Sequence, residues 1–224
     1  MAALDIVKLL VNDLPDHYRL THRATEADLK VEEHVNEVFM LNDEASCNAC
    51  EERGNRSCKD KAVARMDATA SRVYSIDIEN FLTQYNRSRR LNAVKCDYLH
   101  IDEGMSHIVF NELTCTKLKY IEPYDNTSGH HEGKRIHAIK QMLKVAELLT
   151  SVPTIKNYIV QFGQKTVLFS WRNPEVDEPA TNAAEESMMV FDEPSKIAAN
   201  TTLTSMLPDG FIFVQQLYPK SFTF

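Results

Sequence analysis

Two carboxylates stand where a protein core disfavours them. Asp97 interrupts the apolar and aromatic run 94–101, and Glu112 interrupts the run 107–115, which carries Ile108, Val109, Phe110 and Leu113. Each run reads as a buried strand, and Asp102, Glu103 and Gly104 between them read as a tight turn in which Gly104 takes a positive φ. A carboxylate inside such a strand costs roughly several kcal/mol unless it is paired or bound to a metal. Two of them on neighbouring antiparallel strands can converge on one cation. The other reading keeps Asp97 and Glu112 as structural acids in salt bridges on a mixed sheet.

A second group with the right chemistry lies upstream. Cys47, Cys50 and Cys58 fall within the polar stretch 46–61. A CxxC spacing sets two thiolates on one turn, where both reach a metal at about 2.3 Å, and Cys58 supplies a third ligand. Tetrahedral structural zinc takes four ligands, and Cys96, Cys115, His34 and several other histidines are candidates for the last. Free thiols, a redox pair and an iron–sulfur cluster are the alternatives. His130, His131 and Glu132 are also metal-ligand types, but neighbouring histidines in a strand or loop point apart, and a surface loop accounts for them.

The first pattern resembles the core of the PD-(D/E)xK nucleases, the fold of many restriction endonucleases. There an Asp begins one strand, a Glu-x-Lys triplet lies on the next, and a helix follows. Asp97 matches the Asp and Glu112 the Glu, and Gln141, on a helix expected over 134–150, matches the helical Gln of the RecB-like branch. The resemblance spans about residues 79–172, less than half the chain, and departs at the triplet, which reads Glu112-Leu113-Thr114. Lys117 or Lys119 would have to supply the missing ammonium. The resemblance implies a restriction endonuclease-like fold, Mg²⁺ held by Asp97 and Glu112, and a nucleic-acid substrate. It also implies a further acid from an early helix, for which Glu32 and Glu33 are candidates.

The elements that would position these groups follow from periodicity. Residues 5–14 form a short amphipathic helix ended by Pro15, and residues 25–40, opened by Thr25 and Asp28, form a second. Residues 59–70 are helix-compatible. The run 73–78 alternates as a strand, and 78–85 has helical spacing. Residues 86–92 make a basic loop ahead of Asp97, and 120–133 a loop punctuated by Pro123, Asn126 and Gly129. The stripe Ile136, Ile139, Met142, Leu143, Ala146 and Leu149 predicts the helix over 134–150. Another helix runs from Pro153 to about Phe162. Strands are expected at 165–171 and 211–217, separated by an acidic, Pro-containing loop from 172 to 195 and a helical stretch from 196 to 206.

These elements make an α/β or α+β fold: a mixed central sheet flanked by helices, read as a single domain over 1–224. Residues 1–70 are its helical N-terminal part with the cysteine-rich loop, and 71–224 its α/β core. With 224 residues, 43% hydrophobic and 25% charged, the chain can bury a substantial core. Its net charge of -7 gives no overall field for nucleic acid, although 87–95 and 134–144 are locally basic. No secretory signal, membrane span or Gly-rich phosphate loop is legible, which points to a cytoplasmic protein without nucleotide chemistry. The function expected is a metal-dependent nuclease-like phosphodiesterase acting on nucleic acid with Mg²⁺. The alternative is an inactive nuclease-like fold acting as a binding or scaffold protein, with a cysteine loop stapled by structural zinc.

Overall fold

The tight turn expected near Gly104 forms, and the central sheet grows outward from the hairpin it closes. The computed structural model describes residues 2–21, 23–42, 62–85, 91, 95–173 and 210–224. Eleven strands are described: β1 Val31–Val35, β2 Val38–Leu41, β3 Ala64–Asp67, β4 Arg72–Asp77, β5 Tyr98–Asp102, β6 His107–Cys115, β7 Tyr124–Asn126, β8 Gly129–His131, β9 Gln164–Arg172, β10 Phe211–Leu217 and β11 Ser221–Thr223. Six of them form one mixed sheet in the order β1-β4-β5-β6-β9-β10. The meander β4-β5-β6 is antiparallel, whereas β6, β9 and β10 run parallel. Parallel neighbours need a crossover, and α4 (Lys134–Thr150) and α5 (Pro153–Ile159) supply the one between β6 and β9.

The two faces of this sheet are covered differently. Leu99, Ile101, Ile108, Phe110, Val167, Phe169 and Trp171 join the core beneath α1 (Ala2–Lys8), α4 and α5. The intervening residues Tyr98, Val109, Leu113 and Leu168 join a second core with Phe39, Met66 and Phe222. That second core lies under a three-stranded sheet, β11-β3-β2. Period-two alternation divides the strands between two apolar layers, so neither face of the central strands is polar in sequence. Each large side chain fully buried there contributes about 1.5–3 kcal/mol.

Several expected elements differ. Residues 25–40 are not a helix: a 3₁₀ turn at Glu26–Asp28 leads into β1 and then β2. Val31, Val35 and Val38 are β-branched, and Asn36 between the strands sits at φ 52°, which breaks a helix at that point. The stretch 59–70 carries β3 instead of helix, with Met66 buried in the second core. Residues 120–133 contain a hairpin, β7–β8, rather than only loop. The first helix does not stop at Pro15. It passes through a π-helical stretch, Leu9–Asp13, into α2 (Leu14–His17), with Pro15 in the first turn of α2, where its missing N–H is not needed. In the central turn Met105, not Gly104, takes the left-handed conformation (φ 56°). The Asp102 carboxylate closes that turn by accepting the Ser106 and His107 N–H groups at 3.2 and 2.5 Å. Among the described residues no helix is long and apolar enough to cross a membrane.

Candidate functional site

Asp97 lies one residue before β5. Tyr98 pairs with Asn111 as the last pair of the β5–β6 ladder, and Asp97 and Glu112 are the residues that flank that pair on the two chain segments. Glu112 is two residues beyond Phe110 and points to the same, helix-covered face. Past this point β6 continues alone on β9, as far as the pair Cys115–Arg172. The Leu113 N–H has therefore run out of strand partners on the β5 side, and it donates to Asp97 Oδ2 at 2.7 Å. One task of Asp97 is thus to end the ladder without leaving a buried donor unsatisfied.

A third acid, Glu79 on α3 (Ile78–Thr83), is tied to Asp97 through its backbone. The Asp77 side chain caps that helix, accepting the Asn80 N–H at 3.0 Å. This fixes Glu79 in the first turn, where its N–H donates to the Asp97 carbonyl at 3.5 Å and its carboxylate pairs with Lys95 at 3.3 Å. Glu79, Asp97 and Glu112 all act on the Cys96 thiol. Burial pushes that thiol well above its usual range, and the negative charges of Glu112, Asp97 and Glu79 push it further. The result is an anionic corner at the edge of the helix-side core, drawn from α3, the start of β5 and the end of β6. Two carboxylates with waters are sufficient for Mg²⁺. Among the described residues no three His, Cys, Asp or Glu side chains are grouped to hold one ion by themselves.

The other expected residues are distributed as follows. β6 ends at Cys115, and a 3₁₀ turn at Leu118–Tyr120 begins just after Lys117, so strand alternation stops before either lysine. Lys117 and Lys119 are both exposed, and the Lys119 ammonium stands 4.9 Å over the Tyr120 ring. Gln141 is half-buried beside the apolar stripe with which α4 packs on β6 and β9. Glu32 and Glu33 belong to the edge strand β1, separated from β5 by β4, and face His34 and Arg72 at 4.0 and 3.2 Å. They are strand residues away from the anionic corner, not helical acids. His130 and His131 take different partners, Asp125 and Asn126, each at 3.0 Å. Cys47, Cys50 and Cys58, with the basic residues Arg87, Arg89 and Arg90, lie outside the described residues.

Sequence reasoning passed over Glu79. The signal was the Asp77-x-x-Asn80 cap, which starts a helix directly after a strand and aims its first turn at the next strand.

A second polar group was also missed, on the opposite face of the sheet. His100 is fully buried, with Nδ1 2.8 Å from Ser75 Oγ and Nε2 3.3 Å from Asn111 Nδ2. Ser170 Oγ donates to Asn111 Oδ1 at 2.9 Å. The chain Ser75–His100–Asn111–Ser170 thus crosses β4, β5, β6 and β9 beneath the small sheet. Burial, with a smaller contribution from His34, lowers the His100 pKa to about 3. A Ser–His pair suggests nucleophilic chemistry, but all four residues are buried, and the neutral imidazole here links strands.

One glycine fixes how the β7–β8 hairpin meets α4. Gly133 has φ 82°, and a Cβ there would lie 2.4 Å from the Glu122 carbonyl carbon. Gly133→Ala is expected to destabilise the protein by about 2–3 kcal/mol or more, read as a lower urea midpoint. The neighbouring Arg135–Glu122 pair (2.5 Å) ties the same joint.

No family model matches the chain, and neither a curated protein nor a solved structure matches it.

Proposed function

We propose that this chain is a metal-dependent, nuclease-like phosphodiesterase acting on nucleic acid, with Asp97 and Glu112 holding Mg²⁺. The observation that carries the proposal is the position of Asp97 just before β5 and of Glu112 near the end of the adjacent β6, with Glu79 bonded to Asp97 through its backbone and α4 following after the β7–β8 hairpin. A strand with an Asp at its start, a neighbouring strand with a Glu, and a following helix is the arrangement that the resemblance to PD-(D/E)xK nucleases implies. The bound ion would polarise the scissile phosphate and lower the pKa of an attacking water. Thr114 shares the face of Glu112 but offers only a neutral hydroxyl, so a lysine must stabilise the charge developing on phosphate. Lys117 and Lys119, at the strand end, are the candidates, and Gln141 would orient water or substrate.

A divalent-metal titration with labelled DNA and RNA, wild type beside Asp97→Ala, tests the proposal. Metal-dependent cleavage lost in the variant supports it. No cleavage by the wild type with any divalent metal or nucleic acid favours a scaffold built on the same sheet. That second reading has its own observation, because the Asp97 carboxylate already serves the Leu113 N–H. Replacing Lys117 and Lys119 together by Met is expected to abolish cleavage while barely moving the melting temperature, since both side chains are exposed. Unaltered cleavage in that double variant would show that neither is the required cation.

A further inference from the structure

Beyond the carboxylates, the segment joining β6 to α4 assembles a stack of aromatic rings. The Lys119 ammonium lies 4.9 Å from the Tyr120 ring centre. Tyr120 meets Tyr124 edge-on at 5.0 Å, and Tyr124 stacks on His131 at 4.8 Å with the planes 11° apart. Tyr124 and His131 are directly opposite each other on β7 and β8, so their stacking also holds this short hairpin together. Stability alone would be served better by burying these rings, yet all three remain half-exposed.

The surface beside them is basic. Lys134, His137, Lys140 and Lys144 recur at three- to four-residue spacing on the exposed side of α4, opposite the stripe Ala138, Met142, Val145 and Leu149. Glu132 in the hairpin pairs with Lys140 at 2.5 Å, which ties the ring stack to the helix. Among the described residues neither Lys134 nor Lys144 has an ion pair. Of the nearby acids, Asp125 pairs with His130 and Glu132 with Lys140, which pulls the Glu132 carboxyl below its usual range, and the exposed Glu147 ends the basic row one turn beyond Lys144.

Aromatic faces next to a row of cations are what unpaired bases and their phosphates need. Bases stack on the rings whatever their identity, while the cations follow the backbone. A duplex keeps its bases inside and offers such rings nothing to stack on. We infer that the β7–β8 hairpin and the basic face of α4 form a docking path for single-stranded nucleic acid, with bases stacking at Tyr120, Tyr124 and His131 and phosphates following Lys134 and Lys144. The inference rests on the nucleic-acid reading above and narrows its substrate to single strands. The path lies in the segment that follows β6, the strand that carries Glu112.

The test is fluorescence anisotropy of the full chain in EDTA, which removes cleavage from the measurement. The probes are labelled oligo-dT, oligo-rU and a duplex of equal length. Both single strands, or one of them, should bind more tightly than the duplex. Tyr124→Ala should weaken that binding about tenfold, the loss expected for one stacked base, while Tyr124→Phe retains it. The double variant Lys134→Glu/Lys144→Glu should also weaken it and lower the salt dependence by about 0.7 in log–log slope for each phosphate no longer neutralised. Circular dichroism melts of each variant establish that the fold persists. Duplex binding equal to single-strand binding, or Tyr124→Ala binding like wild type, would overturn the inference. Asp97→Asn separates it from the catalytic reading. Ring-dependent binding without cleavage by any form keeps the docking path and removes the nuclease, whereas cleavage with ring-independent binding does the reverse.

Discussion

Asp97→Asn should reduce metal-dependent cleavage at least about a hundredfold, yet leave the melting temperature within a few degrees of wild type. The two halves of this expectation come from the two tasks of one carboxylate. As a metal ligand, Asp97 needs its charge. A neutral amide holds Mg²⁺ poorly, and loss of several kcal/mol of Lewis-acid stabilisation is a rate loss of roughly that size. As the group that ends the β5–β6 ladder, it supplies an oxygen acceptor 2.7 Å from the Leu113 N–H, and the Asn amide oxygen occupies the same place. Asp97→Ala lacks that acceptor. It should lose about 1–3 kcal/mol from the buried, unanswered N–H, or several degrees in a chain of this length. A thermal-shift titration adds a readout independent of substrate. With Mg²⁺ at tenfold its dissociation constant the wild type should gain about 1.4 kcal/mol, and Asp97→Asn nothing. If both variants are equally shifted by Mg²⁺, Asp97 is structural only, and the scaffold reading takes its place.

The sequence disclosed the hairpin and the helix better than their surroundings, for physical reasons that differ by element. Asp97 and Glu112 were visible because each is a charge in apolar sequence, and the short turn between their strands left little freedom in register. Helix α4 was visible because it lies on one layer only, so its apolar stripe has helical period. β1 and β2 were hidden because Glu26, Glu32, Glu33 and Glu37 imitate the acidic side of a helix. Of those acids Glu32 and Glu33 lie on β1, an exposed edge strand, whereas Glu26 opens the 3₁₀ turn and Glu37 sits between β1 and β2. The β7–β8 hairpin was hidden because three-residue strands are too short to show alternation. Glu79 is near Asp97 only through the pairing of β4 with β5, a proximity that local pattern does not encode. The Ser75–His100–Asn111–Ser170 chain was invisible for the same reason, as its four members come from four strands.

That buried chain makes acid sensitivity the second large effect. In the unfolded chain His100 titrates near the ordinary histidine value of 6.5, and in the folded protein near 3. A lowered histidine pKa means that below 6.5 the unfolded state binds the proton and the native state does not. Stability is therefore full above about pH 6.5 and falls as pH drops toward 3. The slope approaches 1.4 kcal/mol per pH unit, so about 2 kcal/mol is lost by pH 5. The surroundings explain why protonation is resisted. Tyr98 stacks on the imidazole at 5.5 Å, Phe39 and Phe224 lie at 6.2 and 6.1 Å, and His34 contributes further repulsion of positive charge. The carboxyls of Asp67 and Glu132 are held below their usual range by Thr69 and Lys140. Their contributions are lost only at lower pH, which leaves the interval from 6.5 to 5 clear of them. Urea unfolding of the wild type should therefore show a midpoint markedly lower at pH 5 than at pH 7. His100→Gln keeps a polar group among Ser75 and Asn111 but has no proton to take up. It should be less stable than wild type at pH 7, from lost ring packing, and should show a much flatter dependence between pH 7 and pH 5. An unchanged slope in that variant would assign the acid sensitivity to another histidine and show that His100 accepts a proton in the folded state.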